Sequence, residues 1–180
     1  MIYWHATGAD RDSVEAAKLF HLAAETGHVR AQAYLGSAYR TGVGVAHDPV
    51  QTVKWFKAAA EQGHPLSQAV LGSLYMTGEC TEKNPAEAVK WFRQAADHGQ
   101  VEAMGNLGAM LYLGQGVATN YVEAYKWLHL AAQRGNQLAV KNRGEVSKRL
   151  TPAQMAEGRK LATEFQPRAA TNSTAGAQQQ

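Results

Sequence analysis

Seven histidines, one cysteine and a series of Gly-x-Gly turns are the residues of this 180-residue chain with the most chemical potential. A metal site needs several imidazoles, thiolates or carboxylates within bonding reach of one point. His28 and His64 occupy the same place in two consecutive copies of a repeat, one layer apart. Packed helices lie roughly 8–10 Å apart, too far for two such side chains to share an ion undistorted. His21 and His129 fall at a helical position that holds Lys57 and Arg93 in other copies, which reads as an exposed polar site. Cys80 has no histidine or helix N-terminus tied to it in sequence, so it reads as an exposed thiol and not as an activated nucleophile. The Gly-x-Gly turns follow helices where a phosphate loop would follow a strand. No G-x-S-x-G, H-E-x-x-H, Ser-x-x-Lys or paired-carboxylate arrangement is found. These residues predict a protein that is not an enzyme, with no catalytic residues, no metal and no cofactor.

Composition sets wider bounds. An apolar share of 45% with moderate charge belongs to a folded globular chain. A single cysteine excludes an internal disulfide. Residues 1–20 hold no apolar run like a signal-peptide core, and no stretch approaches the roughly 18 apolar residues of a membrane span. As written the chain is expected to be cytoplasmic. Positive charge gathers in residues 134–180, where eight Lys/Arg stand against three Asp/Glu. That end could face nucleic acid or an acidic partner, but reads first as a solvated end.

The elements that carry these residues repeat. DPVQTVKWFKAAAEQG at 48–63 returns as NPAEAVKWFRQAADHG at 84–99 and as NYVEAYKWLHLAAQRG at 120–135, with a fourth copy, DSVEAAKLFHLAAETG, at 12–27. Between them recur AQAYLGSAYRTGVGVAHD at 31–48, SQAVLGSLYMTGECTEKN at 67–84 and AMGNLGAMLYLGQGVATN at 103–120. A fixed period of 36 residues is the signature of a solenoid. Each unit reads as two helices, A and B. Helix B is expected to open at Asp12, Asp48, Asn84 and Asn120, with Glu15, Gln51, Glu87 and Glu123 three positions on completing capping boxes. It should close at Gly27, Gly63, Gly99 and Gly135. Helix A runs from about Val29 to Thr41, with Ala31, Leu35, Ala38 and Tyr39 inward. Gly36, Gly72 and Gly108 in mid-helix predict a neighbouring helix backbone too close for a side chain. Such pairs cannot bury their apolar faces alone, so the units must stack.

The pattern A-x-x-x-L-G-x-x-Y-x-x-G-x-G-V-x-x-D/N-x-x-x-A-x-K-W-x-x-x-A-A-x-x-G resembles the Sel1-like repeat, a relative of the tetratricopeptide repeat. The likeness covers about residues 1–165. It implies an all-α, right-handed α-solenoid whose concave face, lined by the helices A, binds other proteins. The expected layout is a half repeat at 1–28, repeats at 29–64, 65–100 and 101–136, an atypical C-terminal capping repeat at 137–166, and a disordered tail at 167–180. Three places depart from the pattern. Cys80 replaces the second turn glycine of its unit, Arg143-Gly144 replaces Leu-Gly, and the chain starts as if inside a helix A, with Tyr3 where Tyr39 falls and Gly8 where Gly44 falls. Sequence upstream would open periplasmic or secreted placement.

Helical spacing alone puts residues 30, 33, 37, 40 and 41 and their equivalents on the side of helix A opposite the core. The candidate partner-binding residues are therefore Arg30, Ser37, Arg40, Leu66, Ser73, Met76, Glu102, Tyr112, Leu113, Lys141 and Lys148. They differ between units while the framework does not, as a recognition surface on a repeat scaffold requires. The reading is an adaptor, expected to be a monomer, for a protein or peptide with apolar anchors flanked by acidic residues. The alternatives are an envelope or secretion-associated adaptor or an immunity-type protein capping a toxin, then a β-lactam-interacting enzyme. Nucleic acid binding by residues 134–168 comes last.

Overall fold

The computed structural model describes residues 8–169 of the protein, with side chains from residue 12 onward. Among these residues it contains nine helices and no strand: α1 (Gly8–Glu25), α2 (Val29–Thr41), α3 (Pro49–Glu61), α4 (Pro65–Thr77), α5 (Pro85–Asp97), α6 (Val101–Leu113), α7 (Tyr121–Gln133), α8 (Gln137–Ser147) and α9 (Pro152–Thr163). The even-numbered helices are the helices A. Each of α2, α4 and α6 packs along its length on the helix that follows, and each layer stacks on the next to form an α-solenoid.

The caps form as half boxes. Asp48 Oδ1 accepts from the Val50 and Gln51 amides at 2.8 and 3.0 Å, Asn84 from Glu87 at 3.1 Å, and Asn120 from Glu123 at 3.0 Å. The return bond from position 51, 87 or 123 is missing because the cap amide is used elsewhere. It donates to Tyr39 O (3.0 Å), Tyr75 O (2.8 Å) and Leu111 O (3.0 Å), tying each turn back to helix A. Among the described residues, only Thr151 and Gln154 close both halves of the box. Asp12 caps nothing, since α1 runs through it from Gly8. A Cβ at Gly44 would stand 2.2 Å from Ser13 O, and one at Gly116 would stand 2.3 Å from Pro85 O, so the turn sits on helix B of the layer before. Tyr3 lies outside the described residues.

Helices B end as expected. Gly63 takes φ +82°, its amide reaches Ala60 O at 3.0 Å and that of His64 reaches Ala59 O at 3.1 Å. This Schellman pair recurs at 27, 99 and 135, and the repeated Ala-Ala doublet supplies its carbonyls. The mid-helix glycines correct the expectation of a nearby backbone. A Cβ at Gly36 would meet the Phe56 ring at 2.8 Å, one at Gly72 the Phe92 ring at 2.7 Å, and one at Gly108 the Leu128 Cγ at 2.6 Å. What fills the space is a large side chain of the partner helix B, joined at Gly108 by that helix's backbone, with Ala124 O at 3.2 Å. Leu35, Leu71, Leu107 and Phe92 are wholly buried by this fit. Each such burial contributes about 1.5–3 kcal/mol. Tyr39, expected inward, is half-buried.

The C-terminal unit breaks the pairing. Helix α9 packs on α7 instead of α8. Gly158 permits this, because a Cβ there would meet the Tyr125 ring at 2.9 Å. Phe165 then sets its ring edge-on to Trp127, centroids 5.1 Å apart, beneath the Lys126 ammonium. Residues 167–169, expected in a disordered tail, are instead held as a strap on the end of α5. The Arg168 amide donates to Asp97 O at 2.8 Å, His98 Nδ1–H donates to Arg168 O at 3.1 Å, and Pro167 covers Gly99. Residues 170–180 lie outside the described residues.

Candidate partner-binding face

The outward side of helices A is positioned by the same bonds that build the repeat. Each helix A starts at the residue after a Schellman turn, and in two cases that residue is a histidine. His28 Nδ1 accepts from the Ala31 amide and His64 Nδ1 from the Ser67 amide, each at 3.3 Å. Both residues are thus N-caps, in a place where Asn136 serves the last unit. The sign was available: His28, His64 and Asn136 share one register position, and all can accept through a ring or amide atom. Burial first, and then the neighbouring Arg30, hold the His64 pKa below its ordinary value, which keeps Nδ1 free to accept.

The predicted residues occupy one side of α2, α4, α6 and α8. Arg30, Ser37, Arg40, Leu66, Glu102, Leu113, Lys141 and Lys148 are exposed, whereas Ser73, Met76 and Tyr112 are half-buried. Met76 and Tyr112 pack against the core, and the Tyr112 ring lies 5.9 Å from that of Tyr121. Three leucines of this side keep much of their surface in water: Leu66 at 58%, Leu113 at 58% and Leu138 at 63%. The basic ends are partly neutralised. Arg40 lies 3.7 Å from Glu79 of the next turn, and Lys148 pairs with Glu145 at 2.8 Å. Neighbouring helices A approach one another, α4 with α6 and α6 with α8.

Buried polar side chains that the sequence did not reveal lie behind this face. Gln32 and Gln68 sit in the layer interior, where their amides donate to Ala24 O (3.2 Å) and Ala60 O (3.1 Å). Glu123 is an electrostatic joint between layers. It takes the Arg93 guanidinium of the layer before and the Trp127 indole N–H at 3.3 Å. Burial acts to raise its pKa, but Arg93, Trp127 and Lys126 outweigh that and hold the carboxyl below its ordinary value.

The candidates for other chemistry disperse. Cys80 is half-buried, not exposed, and holds φ +62° in the turn where its counterparts are glycine. Burial, then Glu79, push its thiol pKa up, away from a reactive thiolate. Among the described residues no three of His, Cys, Asp and Glu gather as metal ligands would, and no helix is long and apolar enough to cross a membrane.

The sequence profile of the Sel1 repeat matches residues 1–28, 29–64, 65–100 and 101–136. A Sel1 repeat protein from Oxalobacter formigenes superposes with a TM-score of 0.71 at 29% identity, over 85% of this chain and 65% of that one. A protective antigen of uropathogenic Escherichia coli with an SLR fold gives 0.61 at 26% identity, over 84% and 40%. Helicobacter pylori cysteine-rich protein B gives 0.56 at 20% identity, over 73% and 95%, a likeness of fold alone. This chain therefore spans just under two thirds of the Oxalobacter protein's length and less than half of the antigen's. No curated protein matches.

Proposed function

Because this chain belongs to the Sel1 repeat family, whose members generally act as protein-interaction modules, we propose that it is a non-enzymatic adaptor that binds a partner protein or peptide on the concave face of α2, α4, α6 and α8. The observation that carries the proposal is the exposure of Leu66, Leu113 and Leu138 on the outward side of helices A, whose recurring inner leucines, Leu35, Leu71 and Leu107, are wholly buried. Apolar side chains held open on a rigid surface are the usual anchors of a peptide or helix laid in a groove. Arg30 and Lys141 flank them and favour acidic residues beside the partner's apolar anchors.

The experiment is affinity capture from the source lysate with wild type and with Leu66→Glu/Leu113→Glu. Both positions are exposed, so the variant keeps its circular dichroism and melting temperature. A partner retained by wild type and lost by this variant supports the reading. Equal capture by both would move binding off this face and overturn it.

A further inference from the structure

The fourth unit turns a core position into a cleft. Arg143 stands in the register of Leu35, Leu71 and Leu107, which are wholly buried, and Val140 in that of Gln32, Gln68 and Met104. In those layers the following helix B covers the position. Here α9 lies on α7, so Val140 is 41% exposed and a Cβ at Gly144 would meet nothing within 4 Å. The space left between α8 and α9, floored by Tyr125 and His129 of α7, is a cavity of about 440 Å³. That is within the size range of small-molecule sites.

Its charge has one sign. Arg143 Nη1–H donates to His129 Nδ1 at 3.1 Å, and the His129 ring lies parallel to Tyr125 with centroids 5.8 Å apart. Arg159 of α9 lines the cavity across from Arg143. None of the ion pairs among the described residues involves either arginine, and Glu145, the acid of α8, is taken by Lys148. Burial, then Arg143 and Arg159, hold the His129 pKa below its ordinary value, as expected where cations meet without a counter-charge. Val140, Met155 and the Tyr125 ring give the remaining wall an apolar stretch, beside Gly144 and Ser147, whose hydroxyl donates to Gly144 O at 2.7 Å.

We propose that this cleft binds a small carboxylate bearing an apolar group. The carboxylate would lie between the Arg143 and Arg159 guanidiniums, whose planar forks match it. The apolar group would lie against Val140 and Met155. Inorganic phosphate would use the charge and leave that wall unfilled.

The test follows the Met155 methyl and His129 ring signals by NMR while the full chain is titrated with N-acetyl-phenylalanine, its uncharged amide, or inorganic phosphate. The proposal expects saturable shifts with the acid and at least tenfold weaker binding of the amide and of phosphate. Arg143→Leu, which restores the residue of the other repeats, and Arg159→Gln, at an exposed position, should each weaken the acid at least fivefold. No saturable shift, equal binding of acid and amide, phosphate binding as tightly as the acid, or unchanged affinity in both variants would each overturn it.

Discussion

Gly72 and Gly144 occupy one register position and should respond to alanine with opposite signs. At Gly72 the new methyl would press on the Phe92 ring at 2.7 Å, inside a core with no room to yield. Gly72→Ala is expected to destabilise by about 1–3 kcal/mol, as overpacking does. At Gly144 nothing lies within 4 Å, and the residue is inside α8, so Gly144→Ala should stabilise by about 1 kcal/mol through helix propensity. Thermal melts of the two variants decide it, and destabilisation at both would refute the packing account of the recurring glycine. Glu123 gives a pH signature. Its pKa is lowered on folding, so as acid is added the unfolded chain takes up the proton first, and the stability it contributes is present above about pH 4.5 and lost below it. Glu123→Gln should therefore melt below wild type at neutral pH, with the gap narrowing as the pH falls through that range. A gap independent of pH would mean that Glu123 acts by shape alone.

Helix boundaries were legible because each is set by local chemistry: Asp48, Asn84 and Asn120 start helices, and Gly63 with its equivalents ends them. What the sequence hid depends on who sits opposite. The capping box at Asp48 is half made because Tyr39 O competes for its amide, and Asp12 is no cap because α1 already runs through it from Gly8. Periodicity marks Gly36 as crowded but cannot say that Phe56 does the crowding. The candidate face was legible in outline, since exposure follows helical phase, while the Arg40–Glu79 pair joins elements 39 residues apart that no pattern links. The closing strap is the clearest such case. Compositional bias reads residues beyond 166 as tail, yet Phe165 seated on Trp127 anchors them. Phe165→Ala should cost about 2 kcal/mol and expose the buried Trp127 indole, read as a red shift of its emission. Emission unchanged from wild type would show that the ring does not seal this end.

The described residues form three unequal cores. Ala24, Ala31, Leu35 and Trp55 form one, Phe56, Leu71 and Leu74 another, and a far larger cluster runs from Ala88 to Ala162. In a stack where each layer touches only its neighbours, stability is close to a sum of layer and interface contributions, so the layers need not open together. The N-terminal layers, with the smaller cores, should open first. Amide exchange is expected to be fastest in α1 and α2 and slowest in α6 and α7. Leu107→Ala, costing about 2–5 kcal/mol, should speed exchange across α5–α9, whereas Leu35→Ala, of similar cost, should speed it only in α1–α3. If Leu35→Ala raised exchange equally in all the described helices, the solenoid would unfold as one unit and the layered account would fail. This gradient also bears on function. The candidate face crosses from the weaker layers of Arg30 and Leu66 to the stronger ones of Leu113 and Lys141. A partner gripping both ends would therefore slow exchange most in α2 and α4, where there is most opening to suppress.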